Sequence, residues 1–280
     1  MSLAAVLLPA AIALIMLGLG LALTVPDFRR VLASPRAVTL VLLCQLLVVP
    51  LIAYGLVVLF DPAPALGVGV MLLVATPGGP LSNLFSHLAG ADVALNISLT
   101  AISSVISAAS FPIIANLSVH RLMDGGRDVG LQTGKIVQVA ALVIVPVVVG
   151  MAVRNRRPRF ADRMESPVRR FSAVVLVLVV IGSVVKEREH LGPAFTGTAH
   201  IVLLLAALSL AIGYTVPRLG GVSHRQSVAA SMEIGLHNTP LAIAVAMSPS
   251  MLNDSTMAFA PAIYAVVVVP MAALYTYLVS

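Results

Sequence analysis

Nine runs of apolar residues follow one another along this chain with short polar loops between them. Most approach the roughly 20 residues that a helix needs to cross a hydrocarbon layer. That pattern leaves little choice of fold. No water is present at bilayer depth, so every backbone N–H and C=O must be satisfied within its own segment, and such runs become helices. Their bounds are about 3–23, 38–60, 66–89, 92–117, 131–153, 171–186, 199–216, 226–248 and 257–279. Composition agrees. Apolar residues make up 59% and charged residues 10%, against about 25% charged in a soluble domain. Mean hydropathy is +1.05. A water-soluble enzyme and a nucleic-acid-binding module are excluded, and the loops are too short for a separate soluble domain. The expected fold is an all-α integral membrane protein with nine transmembrane helices, a single transmembrane domain over 1–280.

The cations orient it. Arg29, Arg30, Arg36, Arg154, Arg156, Arg157, Arg159, Arg163, Arg169, Arg170, Arg218 and Arg225 fall in loops on one side and make 12 of the 17 Lys and Arg. Arg121, Arg127, Lys135, Lys186 and Arg188 fall on the other. Short loops rich in Lys and Arg stay cytoplasmic. The N-terminus is therefore expected outside and the C-terminus inside, in the cell's inner (cytoplasmic) membrane. The arginine run at 154–170 reads as a topology determinant rather than a nucleic-acid patch. Cys44, the single cysteine, lies in an apolar run and reads as a small buried hydrophobe. The first apolar run lacks a basic leader and is long enough to span, so it reads as a helix rather than a cleaved signal.

Ionisable groups inside a membrane are costly and mark function. Ten of the 11 acids fall in loops or at span ends; Glu233 alone lies well inside one. It is eight residues past Arg225, about 12 Å into the bilayer at 1.5 Å per residue. Next come Ile234, Gly235, Leu236, His237, Asn238, Thr239 and Pro240. Gly235 and Pro240 predict a helix break mid-span. The third run repeats this grammar with Thr76, Pro77, Gly78, Gly79, Pro80, Leu81, Ser82 and Asn83. Two interrupted helices at matching places in two halves are the best sequence pointer to a transporter binding site. Unwound carbonyls suit a cation and half-helix N-termini suit an anion. Helices 5–9 form a five-helix unit broken in its fourth member. Helices 1–4 form the same unit without its first. Units of five insert with opposite orientation, which gives an inverted repeat. Gln45 lies mid-span in the second run, while Asn96, Thr100 and Ser104 share one face of the fourth at i, i+4 spacing, with Ser103 beside them. Neutral oxygens beside one carboxylate suit a hard cation such as Na⁺.

The stretch Thr76–Asn83 with Gly90-Ala91-Asp92-Val93-Ala94-Leu95-Asn96, and Glu233-Ile234-Gly235-Leu236-His237-Asn238-Thr239-Pro240-Leu241-Ala242, resembles the bile acid:sodium symporter family. Met16–Leu21 with Asp27-Phe28 looks like that family's opening helix. The resemblance covers nearly the whole chain, which looks like a nine-helix form lacking the first of ten. It implies a panel (about 1–30 and 131–190) and a core (about 36–120 and 199–280), with the two broken helices crossing in the core. One Na⁺ would be held by Ser82, Asn83, Asn96, Thr100 and Glu233. A second would be held by Gln45, Glu233, the backbone at Ile234 and Leu236, and the side chain at 237. Substrate would sit beside the crossing, near Gly79, Pro80, Asn238 and Thr239. Three positions depart from the family's pattern. His237 stands where Gln is usual, and a ring nitrogen is a poorer Na⁺ ligand than an amide oxygen, which weakens the second site. Pro80 stands where a small hydroxyl residue is frequent. Asn96 replaces the more usual Ser and keeps an oxygen.

The expected function is secondary active transport: Na⁺-coupled symport of a small organic anion by alternating access, with the lipid bilayer as setting, no nucleic acid and no cofactor besides the coupling ion. A rival reading keeps the fold but couples to protons, or to nothing, through His237. A thiol-based arsenite exporter is disfavoured because the break at Ala75-Thr76-Pro77 carries no Cys. An intramembrane enzyme is disfavoured because Glu233 and His237 have no further mid-span ligand or nucleophile beside them.

Overall fold

The computed structural model describes residues 3–123, 133–168, 170–171, 174, 191–248 and 251–279. Every regular element among them is a helix. In order they are α1 (Leu3–Ala22), α2 (Val25–Val31), α3 (Pro35–Phe60), α4 (Pro64–Ala75), α5 (Pro80–Leu88), α6 (Val93–Leu122), α7 (Thr133–Arg156), α8 (158–168), α9 (Leu191–Leu219), α10 (His224–Gly235), α11 (Thr239–Met247) and α12 (Phe259–Val279). A single 3₁₀ turn, Thr256–Ala258, leads into α12. The expected span at 171–186 lies almost wholly outside the described residues, as do Arg127, Lys135 (side chain), Arg169, Lys186 and Arg188.

Four helices among the described residues are long and apolar enough to cross a membrane: Pro35–Phe60, Val93–Leu122, Phe195–Leu219 and Thr256–Val279. Pro9–Ala22 and Val25–Val31 pass the same test as a pair, bent by 74°. The surface confirms the setting. Leu51, Leu59, Ile113, Leu117, Val266 and Leu278 are exposed, whereas Gln45, Ser82, Asn96, Thr100, Ser103 and Glu233 are buried. An apolar exterior around a polar interior is what a bilayer requires. This is a multi-pass membrane protein.

The two interruptions form where the breakers predicted them. Thr76 precedes Pro77, whose ring drives it out of the helical region to φ −75°, ψ 154°. The Thr76 hydroxyl donates to Leu73 O at 2.7 Å and closes the last turn of α4. Pro80, whose missing N–H costs nothing at a helix start, opens α5. In the other break α10 ends at Gly235, and Asn238 caps α11 by accepting the Leu241 N–H at 3.2 Å. The breaks then satisfy each other. Gly78 and His237 pair as an antiparallel bridge. Gly79 N–H donates to Leu236 O at 2.6 Å, and Asn238 N–H to Pro77 O at 2.9 Å and Thr76 Oγ at 3.1 Å. Dry backbone groups that lost helical partners are thereby paired.

Three further features position the site. In α3 the helix widens into a π-helical turn over Cys44–Val48, just before Pro50, which cannot donate one turn back. Gln45 rides on that turn. Helix α1 packs along α7. A Cβ on Gly20 would strike the Val147 carbonyl, and one on Gly150 would lie 2.6 Å from Leu17 O, so glycines let these helices approach closely. At the bend after α1, Asp27 is buried, contrary to its reading as a loop acid. Its carboxylate accepts from Thr24 N–H (2.7 Å) and Thr24 Oγ (2.6 Å) and pairs with Arg30 at 3.0 Å. That reciprocal cap starts α2, which packs on α6.

Candidate binding site at the helix crossing

Glu233 ends up fully buried near the C-terminus of α10. Three hydroxyls converge on it. Its Oε2 accepts from Thr100 Oγ at 2.6 Å and from Ser82 Oγ at 3.1 Å. Its Oε1 accepts from Ser103 Oγ at 2.9 Å. Asn96 Nδ2 donates to Ser82 Oγ at 3.3 Å, so the network has a fourth member. Three helices contribute: α5 gives Ser82, α6 gives Asn96, Thr100 and Ser103, and α10 gives the carboxylate. Gly78 completes the enclosure from the first break. A Cβ there would fall on the Glu233 carboxyl group, so only glycine leaves it room.

This donor set can hold a small hard cation. All its ligating atoms are oxygens, one of them charged. Hydroxyls keep acceptor lone pairs after donating, and can rotate them inward. Asn96 Oδ1 is buried with no hydrogen-bond partner, which leaves an oxygen to spare. A buried unpaired amide oxygen is costly unless something else meets it.

Among the residues expected around the first sodium, Ser82, Asn96, Thr100 and Glu233 are brought together in one network. Asn83 stands apart: its side chain lines the adjoining cavity and makes no bond to Glu233. Ser103 was missed. The i, i+4 pattern pointed to Ser104, but Ser104 Oγ turns back to Thr100 O at 2.6 Å. Ser103, three residues past Thr100, takes the carboxylate instead.

The second expected set fares differently. Gln45 is buried, and both its amide atoms lack partners. Leu236 O already accepts the Gly79 N–H. His237 is 5% exposed and lines the adjoining cavity. Its ring lies 5.6 Å from the ring of Tyr264, whose hydroxyl donates to Gly235 O at 2.7 Å.

Beside the crossing lies a cavity of about 480 Å³. Ile15, Leu19 and Leu23 form its apolar wall. Its polar wall carries Gly79, Pro80, Asn83, His237, Asn238 and Thr239, which includes all four residues expected to touch substrate. Asn238 has its Oδ1 committed to capping α11, so its offer to a solute is the amide N–H₂. Thr100 belongs to both places: its hydroxyl holds Glu233 and the residue lines the cavity. Glu165, on α8, also lines the cavity. It had been read as a loop acid, and nothing in the local pattern marks it; only the packing of α8 brings it there. No Lys or Arg lines this cavity among the described residues.

Residues 9–192 match the model of the Sodium Bile acid symporter family. The chain belongs to that family. The matched segment holds the first break and the polar stripe of α6; Glu233 and the second break lie beyond it and are joined to it by the fold. The chain is 30% identical over 233 residues to the human (Homo sapiens) P3 protein, covering 78% of this chain and 45% of that protein. It is 25% identical over 233 residues to a rice (Oryza sativa subsp. japonica) protein named Probable sodium/metabolite cotransporter BASS2, chloroplastic, covering 83% and 54% respectively. It is 24% identical over 234 residues to the Uncharacterized sodium-dependent transporter YocS of Bacillus subtilis (strain 168), covering 83% and 71%. The chain thus spans about half the length of the P3 proteins it matches. The description of that family is one of symporters.

Proposed function

We propose that the chain is a secondary active transporter that moves a small organic anion together with Na⁺. The observation that carries this reading is the fully buried Glu233 carboxylate ringed by Ser82, Thr100 and Ser103, with the spare Asn96 oxygen beside it. A dry carboxylate is costly unless a counter-charge meets it, and a small cation held in this oxygen cage supplies one. The family name and the printed names of two relatives, one a sodium/metabolite cotransporter and one a sodium-dependent transporter, support the same ion.

Sodium is the co-transported ion, and the residues that would hold it are Ser82, Asn96, Thr100, Ser103 and Glu233. Asn83 joins them only through a side-chain rearrangement. The solute occupies the adjoining cavity. Its apolar side rests on α1, and its acidic group meets the Asn238 amide and the N–H groups that open α5 after Pro80. Thr100, shared between cage and cavity, gives the ion a route to the solute: filling the cage fixes the wall that the solute touches.

The conformational cycle is alternating access in a nine-span inverted repeat. Helices α1 and α7 belong to a panel that rocks against a core holding the crossing. The close α1–α7 packing through Gly20 and Gly150 supports a rigid panel. The chain sits in the inner (cytoplasmic) membrane with its N-terminus outside and its C-terminus inside.

Reconstitution into proteoliposomes tests the reading. An inward Na⁺ gradient is expected to drive uptake of at least one organic acid from a panel spanning bile acids and small carboxylates, and Glu233→Gln is expected to abolish it. Uptake that follows a pH gradient without Na⁺, and is lost in His237→Gln, would establish the proton-driven alternative instead.

A further inference from the structure

We infer that the outward face of α8 is a docking surface for anionic phospholipid headgroups. The inference holds whichever ion or solute the chain carries.

The packing decides which face of α8 is outward. Ala161 is fully buried and Glu165 lines the solute cavity, so these positions, with half-buried Met164 and Val168, turn toward the protein. Arg159 and Arg163 are exposed on the opposite side. Arg170 is exposed as well, and the spacings of four and seven residues along this series are close to one and two helical turns. Arg156 and Arg157, at the junction of α7 and α8, are also exposed. The acids of this stretch do not cancel them. Asp162 is taken by Arg154, and Glu165 belongs to the inward face.

Charge alone would suit any polyanion. The aromatic residues decide between them. Phe160 is 50% exposed and Phe171 59% exposed. They stand 11 residues apart, close to three helical turns, and so edge the same basic face. Rings left out beside arginines are costly in water and favourable where headgroups meet acyl chains. The setting matches: α8 follows directly on α7, which covers one of the expected spans. A basic helix face with an aromatic edge is the pattern of helices that lie in a bilayer interface. Arginines held at that level attract anionic lipids.

The test reads lipid binding in the absence of Na⁺, so its outcome is separate from that of the coupling reading. The purified full chain, in neutral detergent and KCl, is titrated with phosphatidylglycerol or with phosphatidylcholine of the same acyl chains, and the melting midpoint is followed. Phosphatidylglycerol is expected to raise the midpoint and phosphatidylcholine is not. Arg159→Gln combined with Arg163→Gln is expected to raise the half-saturating phosphatidylglycerol concentration by about 5-fold or more. Arg29→Gln combined with Arg121→Gln removes the same charge from exposed positions elsewhere and is expected to change it by less than about 2-fold. Phe160→Ser leaves the charge alone and is expected to weaken binding by about 3-fold. Retained elution volume shows that each variant is folded, and the two single arginine variants, each expected to weaken binding by about 2-fold, serve if the double variant is not. Equal midpoints in the two lipids, or a phosphatidylglycerol response unchanged by loss of Arg159 and Arg163, overturns the inference. A short oligonucleotide or inorganic pyrophosphate that shifts the midpoint as phosphatidylglycerol does, with Phe160→Ser without effect, assigns the face to a soluble polyanion and overturns it as well.

Discussion

Gly78 and Glu233, 155 positions apart in sequence, share a space that has room for one side chain: a Cβ at position 78 would fall on the carboxyl group of residue 233. The first helix break is therefore a wall of the cage built on the second. Gly78→Ala is expected to push Glu233 off its hydroxyls or to misfold the crossing, at a cost of about 1–3 kcal/mol or more. Gly55, whose Cβ would meet nothing within 4 Å, is the control. Gly55→Ala lies in a helix interior and is expected to stabilise by about 0.5–1 kcal/mol. Thermal melting of the two variants checks the contrast.

Neighbouring serines of α6 have separate fates. Ser103 Oγ lies 2.9 Å from Glu233 Oε1, nearer than the 3.2 Å to Thr100 O, whereas Ser104 donates to Thr100 O at 2.6 Å. A hydrogen bond to a charged group is worth about 1.5–3 kcal/mol. Ser103→Ala should weaken apparent Na⁺ affinity by about 10-fold or more, and Ser104→Ala by less than about 3-fold, read from Na⁺ titrations of thermal stability.

Tyr264 holds the end of α10 through its 2.7 Å bond to Gly235 O and packs on His237. Phenylalanine keeps the ring and removes the hydroxyl. Tyr264→Phe should lower stability by about 1–3 kcal/mol by leaving a buried carbonyl unmet. The loss should be of similar size with and without Na⁺, because the cage itself is untouched.

Enlarging the α1–α7 contact should separate transport from ion binding. The site a Cβ on Gly150 would occupy lies 2.6 Å from Leu17 O and 2.8 Å from Gly20 C. Gly150→Leu should force the two helices apart and reduce uptake severalfold. The Na⁺-dependent rise in melting temperature should persist, since Ser82, Thr100, Ser103 and Glu233 lie on other helices. Loss of both together would show that the cage depends on the panel pair.

The parts of this molecule that could be read in advance are those decided locally. Pro77, Gly78, Gly79 and Pro80, and Gly235 with Pro240, break helices wherever they occur, so the interruptions were legible in sequence. Glu233 was legible because it is the one acid placed deep within a span. What escaped depends on how helices turn and meet. The rotation of α6 about its axis decides between Ser103 and Ser104, and packing against α10 sets it. Asn238 looked like a solute ligand, yet half its side chain is spent on capping α11. The π-helical turn that carries Gln45 leaves no periodic signature. Glu165 reaches the cavity only because α8, read as a loop, is a helix packed beside it. The 74° bend that buries Asp27 is likewise a tertiary event, although Thr24 and Asp27 at capping-box spacing were there to be noticed.

The central claim is that Glu233 is a sodium ligand. It is tested most directly by melting the purified wild-type chain and Glu233→Gln in NaCl and in KCl of equal ionic strength. A ligand at 100 times its dissociation constant stabilises a protein by about 2.7 kcal/mol. The account predicts a clear upward shift of the wild-type midpoint in Na⁺ over K⁺ and none in the Gln variant. Equal midpoints for the wild type in the two salts, or a Na⁺ shift that survives in Glu233→Gln, would contradict it.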